Sequence, residues 1–549
     1  MTDQTKQPDV LESLMFRLGD FGPYQKWQYL LQVSSALLSG IQMYSLLTVA
    51  AVPEHRCEIP NLDVNKTMAF LNYTHLAKYI PLKTDGAFES CYMIDPTTSL
   101  TIKCHSWVYN TTYHPSSRAI EWNFVCDRRW MGSVSQSIFM FGILIGCIIL
   151  NNLADRIGRK PVFCWAASIC FVSGVCVAFT TQYYLFLFLR FILGMTSVPG
   201  TTTGFVLTME LVGPNKRAAV GVGYQAVFAC GIILVAFWGY IIKDRQFLQI
   251  SYGMHALPLI LHWWLLDESP RWLWVKGRYQ ESLEIIEKAL KFNGSTKKLK
   301  IDKIIPRSES ETKRKDASLL DLFKMPIMRK RILIVGFCWF SNSLVYYGLS
   351  LGNESMKGNP FMVIFLMGAL ELPGYVVVIF FLSKLGRRFL IAFNMIISGF
   401  CCVLSVSLTM GSIASNVFVY SGKCLIACSY SVIYIHSAEL FPTMTRNSAV
   451  GFASMCARIS GTITPIILLL DSFDPKVPCM IFGVITIFSG YLTLYLPETL
   501  GTIMPSTIEE GEKFGNGDTC FTNCLSQTRE SKKKSSPIVI EQLEPLNIT

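Results

Sequence analysis

Apolar residues run along this chain in long unbroken blocks, with polar residues gathered between them. A helix needs roughly 20 apolar residues to cross a bilayer. Blocks of that order lie near 28–50, 131–152, 161–180, 185–208, 218–242 and 250–266. A polar stretch, 267–331, follows. Six more blocks lie near 332–350, 360–382, 389–410, 416–440, 449–470 and 478–496. The pattern predicts an all-α membrane protein with twelve transmembrane helices, six on either side of a linker. Its parts are an N-terminal segment (1–26), a first six-helix half (27–266) that includes a long polar loop (53–129), the linker, a second half (332–497) and a tail (498–549).

Composition narrows the class. The chain has 549 residues, 51% hydrophobic and 16% charged, with a mean hydropathy of +0.38. A soluble chain carries roughly 25% charge, so this one lacks the polar skin of a soluble enzyme or a nucleic-acid binder. A β-barrel would alternate apolar and polar residues, which these blocks do not. The net charge of +11 fits the excess of Lys and Arg on cytoplasmic loops better than a nucleic-acid surface. Residues 271–331 alone hold 17 Lys+Arg against 8 Asp+Glu, a net of +9. Arg156, Arg159 and Lys160 follow the second block, Lys216 and Arg217 the fourth, Arg387 and Arg388 the eighth, and Arg446 the tenth. Both termini and the linker are therefore expected in the cytoplasm, and the 53–129 loop outside.

That loop carries Cys57, Cys91, Cys104 and Cys126, and sequons at Asn65, Asn72 and Asn110. Together they predict a disulfide-bonded, glycosylated outer loop, although four cysteines allow three pairings. Asn353 also falls outside, whereas Asn293 and Asn547 match the sequon on the cytoplasmic side. The tail pair Cys520 and Cys524 lacks the further ligands a zinc site needs. In the linker, Leu283, Ile286, Ala289 and Leu290 share one helical face, stopped at Gly294. This amphipathic helix either lies under the membrane or packs on the linker itself. The tail beyond Glu510 is polar and is expected to be disordered.

The two halves share marks at a near-constant offset. LADRIGRK (153–160) answers to LSKLGRR (382–388), with Gly158 and Gly386 228 apart. ELVGPNKR (210–217) answers to ELFPTMTR (439–446), with Glu210 and Glu439 229 apart. DESPRW (267–272) answers to PETLG (497–501), with Glu268 and Glu498 230 apart. The second six blocks thus duplicate the first. A parallel repeat of this kind places a substrate cavity between the halves near the midplane.

These motifs resemble a known family. LADRIGRK resembles the loop signature of the major facilitator superfamily. ELVGPNKR, ESPRWL, ELFPTMTRN, LPETLGTIMP and the opening LGDFGPYQ resemble the organic ion transporters, solute carrier family 22. YYGLS, ALELPGY and GKCLIACSYSVIYIHSAELFPT look most like the insect organic cation transporter-like branch. Asn151, Ser383 and Asp267 depart from the usual Gly, acid and Pro. The resemblance implies a plasma-membrane carrier. It also implies that Asp155, Arg156, Arg159, Lys160, Glu210, Arg217, Glu268, Arg271, Glu439 and Arg446 form the gate. Asp155 is expected to pair across the half interface, or to cap a neighbouring helix, in one of two states.

Charges inside spans cost roughly 2.5–3.5 kcal/mol at the bilayer centre, so they face a cavity or a partner. Arg190 and Lys423 read as structural, and Glu439 as gate. Glu371 and Arg458 lie near mid-span. Either Glu371 holds an ammonium group and Arg458 a carboxylate, or the two pair with each other. In the family, cation carriers have an acid at the Arg458 position, and anion and carnitine-type carriers an arginine. At the position of Tyr375 the anion carriers have a lysine. Trp339, Tyr346, Tyr347, Tyr430 and Tyr434 supply aromatic faces, which attract alkylammonium groups by roughly 0.5–2 kcal/mol each. The resemblance adds Gln225 and Phe228 to the same lining.

No nucleotide loop, metal motif or catalytic set is present, so neither enzyme nor cofactor is expected. The leading reading is a polyspecific, facilitative carrier of small organic cations or zwitterions. A positive substrate gains roughly 2.3 kcal/mol per charge per 100 mV from the membrane potential. The resemblance to carnitine-type carriers keeps a sodium couple open. An organic anion exchanger anchored by Arg458 is the alternative, and a non-transporting sensor the alternative of another class.

Overall fold

The computed structural model describes residues 10–518 except 60–62, 64–75, 83–87, 96–99, 295–318, 353–355 and positions 215, 357, 383, 410, 443, 503–504, 506 and 516–517. The principal helices are α1 (Val10–Leu18), α2 (Pro23–Tyr44), α3 (Trp130–Ile157), α4 (Arg159–Cys176), α5 (Tyr183–Leu211), α6 (Arg217–Ile241), α7 (Arg245–Met254) and α8 (Tyr279–Phe292). After the linker come α9 (Pro326–Leu351), α10 (Pro360–Ala369), α11 (Glu371–Leu382), α12 (Arg387–Ser407), α13 (Ile413–Leu440), α14 (Arg446–Leu468), α15 (Val477–Thr493) and α16 (Ile508–Lys513).

Ten helical stretches among the described residues are long and apolar enough to cross a membrane. The sixth and twelfth blocks fall short. The sixth is divided into α7, Leu257–Ile260 and His262–Leu265, with Pro258 among them. Proline lacks the N–H that a continuous helix needs there. The twelfth, α15, has 17 residues. The eighth block is broken at Leu370, between α10 and α11. Pro373 withholds the N–H that the carbonyl of Ala369 would accept. Cys424 Sγ lies 3.2 Å from the carbonyl oxygen of Leu370 and satisfies it in part.

Glycines set the closest crossings. Gly142 and Gly146 of α3 meet the backbone of α5 at Phe191 and Met195, and Gly194 of α5 meets Phe139 of α3. A side chain at any of them would collide with a carbonyl. Small residues are what allow membrane helices to approach this far.

The all-α expectation needs one correction. The 53–129 loop contains two small antiparallel sheets. β1 (His55–Cys57) pairs with β4 (Trp107–Tyr109), and β2 (Tyr92–Ile94) pairs with β3 (Thr101–Lys103). Disulfides Cys57–Cys104 and Cys91–Cys126 hold them, which selects one of the three pairings. Arg118 fastens the loop to the helices. Its guanidinium donates to the carbonyls of Val177, Ala178 and Thr180 at the end of the third apolar stretch, Arg159–Phe179. Asn110 is half-buried, while Asn65, Asn72, Asn353 and Asn547 lie outside the described residues, as do Cys520 and Cys524.

The chain is ordered beyond its apolar blocks. Leu283, Ile286, Ala289 and Leu290 of α8 pack on Leu11, Leu14, Met15 and Leu18 of α1. The linker helix thus buries its apolar face on a helix within the 1–26 segment, a partner outside both sequence readings. Asn293 bolts the pair to α2: it accepts from the Tyr24 N–H at 2.8 Å and donates to Leu18 O at 3.3 Å. The described tail residues beyond Glu510, where disorder was expected, make packed contacts. Glu512 accepts from the N–H groups of Ile327 and Met328 at 2.9 and 3.0 Å. Arg331 donates to Gly511 O, and Arg388 pairs with Asp518.

Candidate functional site

The duplicated motifs fold into duplicated charge clusters. Glu268 accepts from the N–H groups of Arg159 and Lys160, both at 3.1 Å, and so caps α4. Glu498 accepts from those of Arg387 and Arg388 at 2.7 and 3.0 Å and caps α12. Carboxylates are favoured at the positive end of a helix. Gly158 and Gly386 precede these helices with φ of +119° and +80°. Each capping carboxylate lies where a Cβ would project, so a side chain is excluded twice over. Arg159 then pairs with Glu210 at 3.2 Å, and Arg387 with Glu439 at 3.1 Å. Thr499 donates to Glu439 at 2.6 Å.

Asp155, Arg217 and Arg271 find partners on their own side of the linker. Asp155 does not cap a helix; Glu268 does. Its side chain is 70% exposed, with Arg159 as ion partner at 3.0 Å. Arg271 donates to Glu210 O at 3.0 Å and pairs with Glu12 at 2.5 Å, while Arg217 donates to Val212 O at 3.1 Å. Arg156 is exposed, and Lys160 and Arg446 are half-buried. Burial holds the Glu268 carboxyl above its ordinary range against the pull of the N–H groups it accepts.

The opposite end, which bears the disulfide loop, is sealed across the two sides. Arg129 pairs with Asp471 at 2.6 Å. Phe361, at the start of α10, is buried among groups from before the linker. Its ring lies 5.0 Å from the ring of His114 and 4.2 Å from Lys243 Nζ, and packs against Gly239 and Tyr240.

At mid-depth the break in the eighth block sets Glu371 in the first turn of α11. Its side chain is fully buried and meets three partners. Lys423 Nζ lies 2.9 Å from Oε1, and the hydroxyls of Tyr346 and Tyr375 donate to Oε2 at 3.2 and 2.8 Å. The ammonium also covers the Tyr346 ring. Glu371 and Arg458 therefore do not pair with each other. Trp339 is fully buried, donates to Ser437 Oγ at 2.9 Å and packs on Tyr434 with ring centroids 4.2 Å apart. Arg190 is structural: it donates to Ser45 Oγ and Gln136 Oε1 at 3.1 and 2.8 Å and lies over Phe139.

A small void lies where α2, α3, α9, α13 and α14 converge. Its walls are Met43, Met140, Ile143, Ser343, Tyr347, Tyr430, Ala457, Arg458 and Gly461. Three of the expected lining residues are there: Tyr347, Tyr430 and Arg458. Tyr434 stands next to Tyr430, their rings 5.8 Å apart. Trp339, Tyr346 and Glu371 form the packed layer behind. Gln225 and Phe228 of α6 lie apart from the void; Phe228 packs edge-on against Tyr44. The apolar walls, Met43, Met140 and Ile143, were missed, because on apolar helices nothing distinguishes a cavity face from a lipid face. Arg458 Nε donates to Cys147 Sγ of α3 at 2.7 Å, and among the described residues no carboxylate lies within ion-pair distance of it.

The sugar (and other) transporter family matches residues 97–507, so the chain belongs to that family and is a multi-pass membrane transporter, not an enzyme. The solved structure of the major facilitator superfamily proton:xylose symporter XylE bound to 6-bromo-6-deoxy-D-glucose shares the fold. Its TM-score is 0.58 at 17% identity, over 90% of this chain and 99% of that one. The organic cation transporter protein of Drosophila melanogaster is 33% identical, over 92% of this chain and 95% of its own. Solute carrier family 22 member 16 of Xenopus laevis is 31% identical, over 97% and 99%. The human organic cation/carnitine transporter 2 is 29% identical, over 90% and 92%. Within the transporters, the chain belongs to solute carrier family 22.

Proposed function

We propose that this chain carries small organic cations and zwitterions across the plasma membrane by alternating access, and that a zwitterion fits its centre best. One observation carries the choice. Glu371 is neutralised by Lys423, whereas Arg458 reaches the void with no carboxylate beside it among the described residues. The uncompensated central charge is positive. A carboxylate on Arg458 removes it, and the tyrosine faces beside it receive an ammonium group. The name of the human relative, an organic cation/carnitine transporter, supports a substrate carrying both groups.

The carrier is read as twelve spans in two six-helix halves, 27–266 and 332–497, with both termini and the linker in the cytoplasm and the 53–129 loop outside and glycosylated. Transport is facilitative and polyspecific. With the loop end sealed and the gate charges paired within their own halves, the molecule faces inward. Arg458, with no carboxylate beside it among the described residues, also favours the second reading, an organic anion exchanger.

Uptake in expressing cells, scaled to surface protein, tests the choice. The substrates are carnitine, tetraethylammonium and p-aminohippurate. Carnitine uptake that Arg458→Ala abolishes is expected. Uptake of p-aminohippurate alone, lost in the same variant, would establish the anion reading; carnitine uptake indifferent to Arg458→Ala would refute both.

A further inference from the structure

We propose that Cys147 holds the place of the substrate's carboxylate in the empty carrier, and that substrate binding is an exchange of partners on Arg458. The inference rests on the reading that Arg458 receives that carboxylate.

Met140, Ile143 and Cys147 are spaced 3 and 4 residues apart on α3, which puts them on one face. Met140 and Ile143 are walls of the void, and Cys147 continues the same stripe. Its thiol is buried, yet it meets a charged group from the other side of the linker. Arg458 has five N–H donors and sits half-buried among apolar and aromatic neighbours. The contact to Sγ is the one that a carboxylate oxygen would take over. Sulfur is a weak acceptor, so it yields to a carboxylate without a large cost. The same contact ties α3 to α14 at mid-depth, along the seam where the two sides of the molecule pack. A substrate that takes Arg458 therefore unties this seam, and a departing substrate restores it. Cys147 is a positioning residue with two effects: it competes with the substrate, and it shields a bare guanidinium while the empty carrier reorients.

The test uses the full chain and three variants, Cys147→Ala, Cys147→Ser and Arg458→Ala. Two quantities are read: equilibrium binding of carnitine and of choline, which lacks the carboxylate, and the ratio of carnitine exchange to net carnitine uptake. Cys147→Ala is expected to bind carnitine about fivefold tighter, the worth of one net hydrogen bond, with choline unchanged. Its net uptake is expected to fall relative to exchange, because the empty return step has lost its partner. Cys147→Ser keeps an acceptor and is expected to behave as wild type. Equal shifts for carnitine and choline, or unchanged carnitine binding in Cys147→Ala while Arg458→Ala still abolishes it, would overturn the role of Cys147 alone. Carnitine binding that survives Arg458→Ala would overturn this inference together with the reading beneath it.

Discussion

Replacing Lys423 by methionine leaves the buried Glu371 carboxylate without its ion partner. Glu371 is 1% exposed and keeps the hydroxyls of Tyr346 and Tyr375, at 3.2 and 2.8 Å. Removing one member of a buried pair costs about 3–5 kcal/mol. The first turn of α11 and the two hydroxyls offset part of this, so the lower end, about 3 kcal/mol, is expected. Glu371→Gln strands Lys423 instead, with the Tyr346 ring beneath it and the Tyr346 carbonyl 3.5 Å away. The loss is expected to be similar. The double variant Glu371→Gln/Lys423→Met removes both charges and is expected to recover most of the stability, so the two single losses are strongly non-additive, with a coupling energy of about 5 kcal/mol. At roughly 1 °C per kcal/mol for a chain of 549 residues, each single variant should melt about 3 °C lower in detergent, and the double variant near wild type. Single variants within about 1 °C of wild type, or strictly additive losses, would refute the pairing as the role of both residues. Uptake separates structure from substrate contact: a stable double variant that still carries carnitine leaves Glu371 a scaffold, and a stable but inactive one makes it a substrate contact.

Phe361→Ala empties the aromatic plug, and Asp471→Asn breaks the ion pair to Arg129. Each is expected to raise labelling of a cysteine placed at the Met43 position by a membrane-impermeant thiol reagent added outside, and unchanged labelling would refute the seal. His114, in the loop next to the plug, is pushed down to about 4 from its ordinary 6.5 by burial, with Lys243 adding to the effect. The sealed form therefore holds neutral His114: its stability is complete above about pH 6.5 and is lost as pH falls from there towards 4. Labelling through the loop end should rise between pH 7 and 5 in wild type and stay flat in His114→Gln. Glu498→Gln weakens the two charge-assisted bonds capping α12, and a loss of about 1–3 kcal/mol is expected in thermal unfolding, matched by Glu268→Gln at α4.

Ten of the apolar blocks and the motif repeat were legible because each is written in residues that tolerate few environments. Glu210 and Glu439, Glu268 and Glu498, and Gly158 and Gly386 repeat in sequence and repeat in geometry. The capping role of Glu268 was not legible, since the helix it caps begins more than a hundred residues earlier. The partner of Glu371 was hidden for a related reason. Lys423 lies 52 positions away, and a period within one helix says nothing about which charge on the next helix stands opposite. Arg458 lines the void, but its contact is a cysteine, a residue that apolar blocks contain for packing alone. The α1–α8 contact was missed because each helix shows an apolar face without showing where it docks.

The arrangement of charges decides what has to change for the carrier to turn. On the proposed inward-facing reading, turning outward would separate Arg129 from Asp471, withdraw Phe361 from His114 and Lys243, and bring together the gate candidates from the two sides of the linker. Asp155 is exposed and can take part, because the Arg159 it meets across the break at Gly158 is also held by Glu210. Glu210 and Glu439 are not free in the same sense, since each is held by an arginine from its own half. The balance between the two orientations is therefore made of several small terms of opposite sign. An equilibrium so balanced moves only by the substrate's differential affinity for its two states. That places the decisive interaction at mid-depth, on the cation that lines the void with no acid beside it among the described residues, and makes the exchange of partners on Arg458 the step at which binding is converted into motion.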